Sequence, residues 1–308
     1  MRESALPISV TGHAINIDMK TTPIKDSWGC TIEFDNPMDF FQYDKNYWRN
    51  MLYEKKIIIF KRMTFKVLDF AKFGTYFGSP WSKSEYTYSN EHGLICKDVD
   101  KNYSVSWFSS LLTGIPNSDM AWHSDIPNRS YNPYPHRALW IIKNPNPEMS
   151  GKTKWLNVED CFKYLTPEMK DLLPRVKIEQ QSWYKPGTDI RTYDFIKTQP
   201  ITGKPSLRLN YYNTGKTKGA WIKSVYIDNE LQPDCSLIKM FIEHLEKIPE
   251  LVHYHQWDDY DIAIYDNWSF LHGRTALQLG NTPSTSERAF YRINIDHVSN
   301  DEWNNQNI

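Results

Sequence analysis

Ala121-Trp122-His123-Ser124-Asp125 is the stretch on which the fold turns. A β-strand sends alternate side chains to one face, so His123 and Asp125 can meet a single metal while Ser124 points away. Far downstream, Asp266-Asn267-Trp268-Ser269-Phe270-Leu271-His272-Gly273-Arg274 brings a second imidazole. Two imidazoles and one carboxylate are the donor set that leaves one face of an octahedral Fe(II) open for oxygen chemistry. Ligands this far apart in sequence need distant strands to meet, which a barrel-like β-fold accomplishes.

The rest of the chain reads the same way. Residues 36–53 predict a helix, opened by Asn36-Pro37 and striped by Phe40, Trp48 and Leu52. Ile57-Ile58-Ile59-Phe60 is a short buried strand by its unbroken apolar run. Thr64 has the chemistry of an N-cap for a helix carrying Val67, Phe70, Ala71 and Phe77 and ending at Gly78. A further helix is expected from about Ser236 to Lys247. The other extended runs, at Ala138–Ile142, Ser206–Tyr211, Asp261–Tyr265 and Ala289–Ile295, are short and broken by Pro, Gly and Asn. Many short strands with a few flanking helices predict a mainly β protein, a jelly roll rather than a parallel α/β sheet.

The motifs around the candidate ligands resemble those of the taurine dioxygenase-like (clavaminate synthase-like) family of Fe(II)/2-oxoglutarate-dependent oxygenases. Trp122-His123-Ser124-Asp125 resembles the family's Trp-His-Thr/Ser-Asp segment, and Gly151-Lys152-Thr153-Lys154-Trp155 its Gly-x-Thr-x-Trp segment. The run from Trp257 through Asp261, Asp266 and Asn267 to His272 is similar to the strand and loop that deliver the second histidine. Arg288-Ala289-Phe290-Tyr291-Arg292 is similar to the family's Arg-x-x-x-Arg. These motifs stand in the family's order, and the likeness spans about residues 57 to 295. The resemblance implies a double-stranded β-helix core with its metal site at the barrel mouth.

It also implies roles. His123, Asp125 and His272 would hold Fe(II), with 2-oxoglutarate and O2 as cosubstrates. Oxidative decarboxylation to succinate and CO2 would drive oxidation of a bound small molecule. An acidic residue at Asp125 argues against halogenation, because halogenating relatives carry a small residue there. Arg288 would take the distal C5 carboxylate of 2-oxoglutarate, with a hydrogen bond from Thr153. Arginine forks suit such bidentate recognition. Arg292 occupies the place that meets the substrate's acidic group in the taurine enzyme. In an extended segment Arg288 and Arg292 share a face, their Cα atoms ~13 Å apart at about 3.3 Å per residue, so they can serve different anions. Lys83, Tyr86, Tyr88, Asn90 and Asp119 fall where the family places pocket residues, although aromatic side chains of this kind also pack cores.

The remaining histidines carry less. His253 and His255 alternate on an expected strand and read as exposed, and His244 lies at the edge of an apolar helix stripe. His13, His92, His136 and His297 have no ligand-like context, though His92 is near the pocket segment. Residues 143–204 hold many prolines and read as an insertion over the barrel mouth that helps to wall a substrate pocket.

The 308 residues suit a single domain over 1–308, and 15% aromatic content suits a β-rich interior. A net charge of −1 leaves no footprint for nucleic acid or an anionic membrane surface. Cys30, Cys96, Cys161 and Cys235 are widely spaced and read as reduced thiols. With no secretory leader and no run of ~18 apolar residues, the expectation is a cytoplasmic enzyme. Its partner would be a small carboxylate-bearing metabolite such as an amino-acid derivative, with a homo-oligomer left open. Hydroxylation is the default outcome; desaturation, cyclisation or isonitrile-type chemistry uses the same ligands. Two other classes stay open: a non-catalytic metal-binding jelly roll, and a zinc-type hydrolase built on the same three ligands.

Overall fold

The structure, a computed structural model, describes residues 19–80, 95–98, 104–109, 119–125, 136–144, 151–181, 190–199, 201–209, 222–276 and 288–296. Lys83, Tyr86, Tyr88, Asn90 and His92 lie outside them. The larger sheet takes, in spatial order, β1 (Met19–Pro23), β2 (Cys30–Phe34), β3 (Ile57–Phe60), β17 (Ile262–Asp266), β8 (His136–Lys143), β19 (Ala289–Asp296), β6 (Ser104–Ser109) and β5 (Ile95–Asp98). A short β4 (Ser79–Pro80) pairs with β19. The smaller sheet is β16 (Val252–His255), β9 (Thr153–Asn157), β18 (Phe270–Arg274) and β7 (Met120–His123). A third sheet joins β11 (Ile190–Asp194), β10 (Val176–Gln181), β14 (Ile222–Ile227) and β15 (Glu230–Leu231), and β12 (Ile196–Thr198) pairs with β13 (Pro205–Leu207).

Two facing sheets, antiparallel except where β2 meets β3, make the jelly-roll core. The period-2 alternation of the strands sorts their side chains into layers. On the outside of the larger sheet Ile58, Phe60, Ile262, Ile264, Ala138, Trp140, Tyr291 and Ile293 meet helices α1 (Lys45–Lys55) and α2 (Val67–Gly74). Their neighbours Ile57, Ile59, Ala263, Tyr265 and Ile141 face inward, against Trp155 and Phe270 of the smaller sheet. The outer side of the smaller sheet, through Trp122, Leu156 and Leu271, packs on helix α4 (Ser236–Glu246) and the third sheet. β3 is buried on both faces, which is why its apolar run is unbroken.

Several local expectations change. The predicted 36–53 helix divides into a 3-10 turn at Pro37–Gln42 and α1. Asp44 causes the division: its Oδ1 accepts from Tyr47 N at 2.8 Å and starts a new helix. Thr64 does not cap α2, which begins at Val67 and ends at Gly74; Asp69 Oδ2 instead accepts from Lys66 N at 3.1 Å. The segment 143–204 is not one insertion, because Thr153–Asn157 is a strand of the smaller core sheet. A short helix α3 (Pro167–Leu172) and strands of the third sheet follow it. No helix among the described residues is long and apolar enough to cross a membrane.

Candidate metal centre

His123 ends β7, and His272 pairs with it directly across β18. Trp122 and Leu271 pack outward, so both imidazoles turn into the space between the sheets, their ring centroids 4.2 Å apart. Gly273 lets the strands close: a Cβ there would stand 2.5 Å from Met120 O. Asp125 follows just beyond β7, with its Oδ2 3.2 Å from His272 Nε2. The ligand atoms of the three residues all lie within 4.8 Å of one another, and they are the one such cluster found among the described residues. Two donors on one ion at ~2.0–2.2 Å stand at most ~4.4 Å apart, so small side-chain rotations would draw these three atoms onto a single ion.

The protonation states fit as well. His123 Nδ1 lies 2.9 Å from Ala121 O, and donating there leaves Nε2 with its lone pair. Burial, reinforced by His272, pushes the His123 pKa down to about 3, so its ring is neutral near pH 7. Burial pushes the Asp125 carboxyl up, but Arg137 beside it, helped by His272 and His123, outweighs burial and holds it well below the usual carboxylate range. A neutral His123 ring and an ionised Asp125 carboxylate are forms that bind a divalent metal.

Thr153 and Arg288 are brought together at one side of this centre. Thr153 pairs across β9 and β18 with Arg274, next to the Trp155–His272 pair. Arg288, buried just before β19, donates from Nη1 to Gly151 O at 2.7 Å, and its Nη2 stands 3.5 Å from Thr153 Oγ1. Trp257 Nε1 donates to Thr153 Oγ1 at 2.7 Å, which leaves the threonine hydroxyl hydrogen for another acceptor. The Arg288 guanidinium also lies 5.7 Å from the Trp257 ring centroid. Burial pulls its pKa down to about 9, with nearby Arg274 adding to the shift. A cation desolvated in this way gains from an arriving anion.

Arg292 lies on the inner side of β19, where the outward side belongs to Tyr291 and Ile293. Arg292 and Arg137 both act electrostatically on the buried Tyr265 hydroxyl, and the Tyr265 ring is 5.3 Å from that of His272. Asp119 goes elsewhere. It is exposed and pairs at 3.2 Å with Lys154, which lies over the outward-packed Trp122 ring. An extra residue on β7, between the His272–His123 and Arg274–Met120 pairs, turns Asp119 off the inner face.

The expectation for His255 is also corrected. It is buried, its ring against Trp257 and its Nε2 3.4 Å from Asp261 Oδ2. Sequence reasoning missed Arg137, Tyr265 and Arg274 at the site. The available signal was an arginine opening an otherwise apolar strand at Arg137-Ala138-Leu139.

A family model, Taurine catabolism dioxygenase TauD, TfdA family, matches residues 20–293. No curated protein sequence matches the chain. Among solved structures, a taurine dioxygenase from Burkholderia xenovorans superposes with a TM-score of 0.66 at 16% identity, covering 91% of each chain. AAD-2 in complex with Mn(II) and N-oxalylglycine gives 0.63 at 15% identity, covering 92% of this chain and 99% of that one. The PvcB protein of Pseudomonas aeruginosa gives 0.64 at 13% identity, over 91% and 92%. At these identities the structures speak for the fold, and the family model, matched over most of the length, speaks for membership. With a His-Asp-His cluster of metal-binding geometry at its core, the chain belongs to the TauD, TfdA family and is a 2-oxoglutarate-dependent non-haem iron dioxygenase that uses Fe(II), 2-oxoglutarate and O2.

Proposed function

We propose that this dioxygenase oxidises a small metabolite bearing a carboxylate or another acid, and that Arg292 receives that acid. The observation that carries the reading is the inward placement of Arg292 beside Tyr265, whose ring packs against His272. In this reading His123, Asp125 and His272 hold Fe(II), and Arg288 with Thr153 holds the distal carboxylate of 2-oxoglutarate. The bound iron and cosubstrate supply oxidative decarboxylation to succinate and CO2, coupled to oxidation of the substrate.

The protein's part is orientation and exclusion of water. Trp257 fixes the Thr153 oxygen as an acceptor, so its hydrogen is free to donate to an incoming carboxylate. Arg137 keeps the Asp125 carboxylate ionised. Trp155, Tyr265 and Phe270, all buried, line the interior between the sheets. Hydroxylation is the simplest outcome, and desaturation, cyclisation or isonitrile-type chemistry would draw on the same groups. The taurine named for one structural neighbour is itself an acid-bearing amine, in keeping with this substrate class.

An anaerobic Fe(II) titration with and without 2-oxoglutarate tests the assignment of the ligands. A weak visible charge-transfer band that appears only with both present is expected in the wild type and absent in His272→Ala. A zinc-type hydrolase or a metal-binding protein without turnover would be indifferent to 2-oxoglutarate and form no succinate.

A further inference from the structure

Asp125 reaches the metal centre from the segment just beyond β7 and His272 from within β18, so some contact must set the distance between them. Asn267 is fully buried in the turn that joins β17 to β18, and that turn leads directly to His272. Its Oδ1 accepts from Asp125 N at 3.0 Å, and its Nδ2 donates to Asp125 O at 3.0 Å. The amide side chain thus pairs with the Asp125 backbone as a neighbouring strand would. These bonds link positions 142 apart in sequence, with Asn267 buried and Asp125 half-buried. The joint is braced from behind. Arg208, with no exposed surface, donates from Nη1 to Asn267 O and lies 4.6 Å from the Trp268 ring centroid. Leu209 O accepts from Ser124 N at 2.6 Å and from Ser124 Oγ at 2.8 Å. Ser206 Oγ donates to Trp268 O. The segment from Ser206 to Leu209 therefore grips both the Ser124–Asp125 end and the turn before His272.

We propose that Asn267 is a positioning residue for the metal centre, setting the separation of Asp125 from His272 through its paired bonds to the Asp125 backbone. The inference rests on the reading of His123, Asp125 and His272 as the metal ligands. Asn267 is neutral, so it acts through geometry and not through charge. Removing a partner that orients a metal ligand typically weakens metal binding ~10- to 100-fold.

Mn(II) affinity of the metal-free enzyme, measured by electron paramagnetic resonance, reads this directly, beside the metal-free thermal midpoint. Asn267→Ala should weaken Mn(II) by ~10- to 100-fold. Asn267→Asp is isosteric and still accepts from Asp125 N–H, yet it sets a carboxylate oxygen against Asp125 O. It should weaken Mn(II) as well, although a through-space charge effect would tighten it. Wild-type affinity in Asn267→Ala, or equal or tighter binding in Asn267→Asp, overturns the proposal. Should the alanine variant not fold, the aspartate variant decides alone by the same criterion. His272→Ala separates this failure from that of the ligand assignment. If it too keeps Mn(II), the ligands are wrong; if it loses Mn(II) while Asn267→Ala keeps it, only the positioning role falls.

Discussion

The two faces of the larger sheet differ in kind: one is packed with aromatic rings, the other carries charged groups. On the outer face Phe40, buried completely, stacks on Trp48 at 4.7 Å, and it also meets Phe73 at 4.7 Å and Phe60 at 5.4 Å. On the inner face Arg137 pairs with Asp125, Tyr265 packs against His272, and Arg292 acts on the Tyr265 hydroxyl. The same strands build both, since Ile262 and Ile264 look outward and Ala263 and Tyr265 inward. A step of one residue separates the hydrophobic face from the chemical one. Burying rings against α1 and α2 stabilises the fold, whereas desolvating guanidinium, imidazole and carboxylate groups costs free energy. Burial on the first face offsets the desolvation cost of the second.

The sharpest way to break this division is at the ligands. Replacing His123 or His272 by Ala should abolish iron binding and turnover while the metal-free thermal midpoint barely moves, whereas Asp125→Ala should abolish both and also lower the midpoint, because it takes the carboxylate from the buried Arg137. Wild-type activity in His272→Ala would remove the triad. On the opposite face, Phe40→Ala should cost about 3–5 kcal/mol of unfolding free energy, measured by chemical denaturation. Metal affinity of the folded fraction should stay at the wild-type level, and a parallel loss would mean the two faces are coupled.

Arg292→Ala sharpens the comparison within the inner face. Substrate oxidation should fall about a hundredfold, because a displacement of ~1 Å at the reacting carbon is costly. Slow succinate formation should persist, and Arg292→Lys should rescue only part, for want of the planar fork. If Arg292→Ala weakens 2-oxoglutarate binding instead, the acidic-substrate reading loses its support. Arg288→Ala should raise the 2-oxoglutarate requirement ~10- to 100-fold, about 1.4 kcal/mol for each factor of ten. Unchanged cosubstrate affinity would move that role to another residue.

Much of this was legible because it depends on neighbours in sequence. The His-x-Asp spacing marked His123 and Asp125 as partners although β7 ends at His123 and Asp125 lies just beyond it, and the unbroken run Ile57–Phe60 announced a buried strand. The order of the motifs indicated the fold family and the kind of cofactor. Local polarity misled in the short helices, where Asp44 and Asp69 hold the termini instead of Asn36 alone and Thr64. It also misled at His253-Tyr254-His255, where alternation was visible but not which side faced inward.

What the chain alone determined is the set of donors, their strand periodicity and the jelly-roll class, all written in short windows of residues. What only the tertiary structure decided is which distant groups come to rest against them: Arg137 on Asp125, Trp257 on Thr153, Asn267 on the Asp125 backbone, and Asp119 away from the site. Those contacts depend on sheet register, on one extra residue in β7 and on a turn packed between strands, and side-chain periodicity carries no information about any of the three.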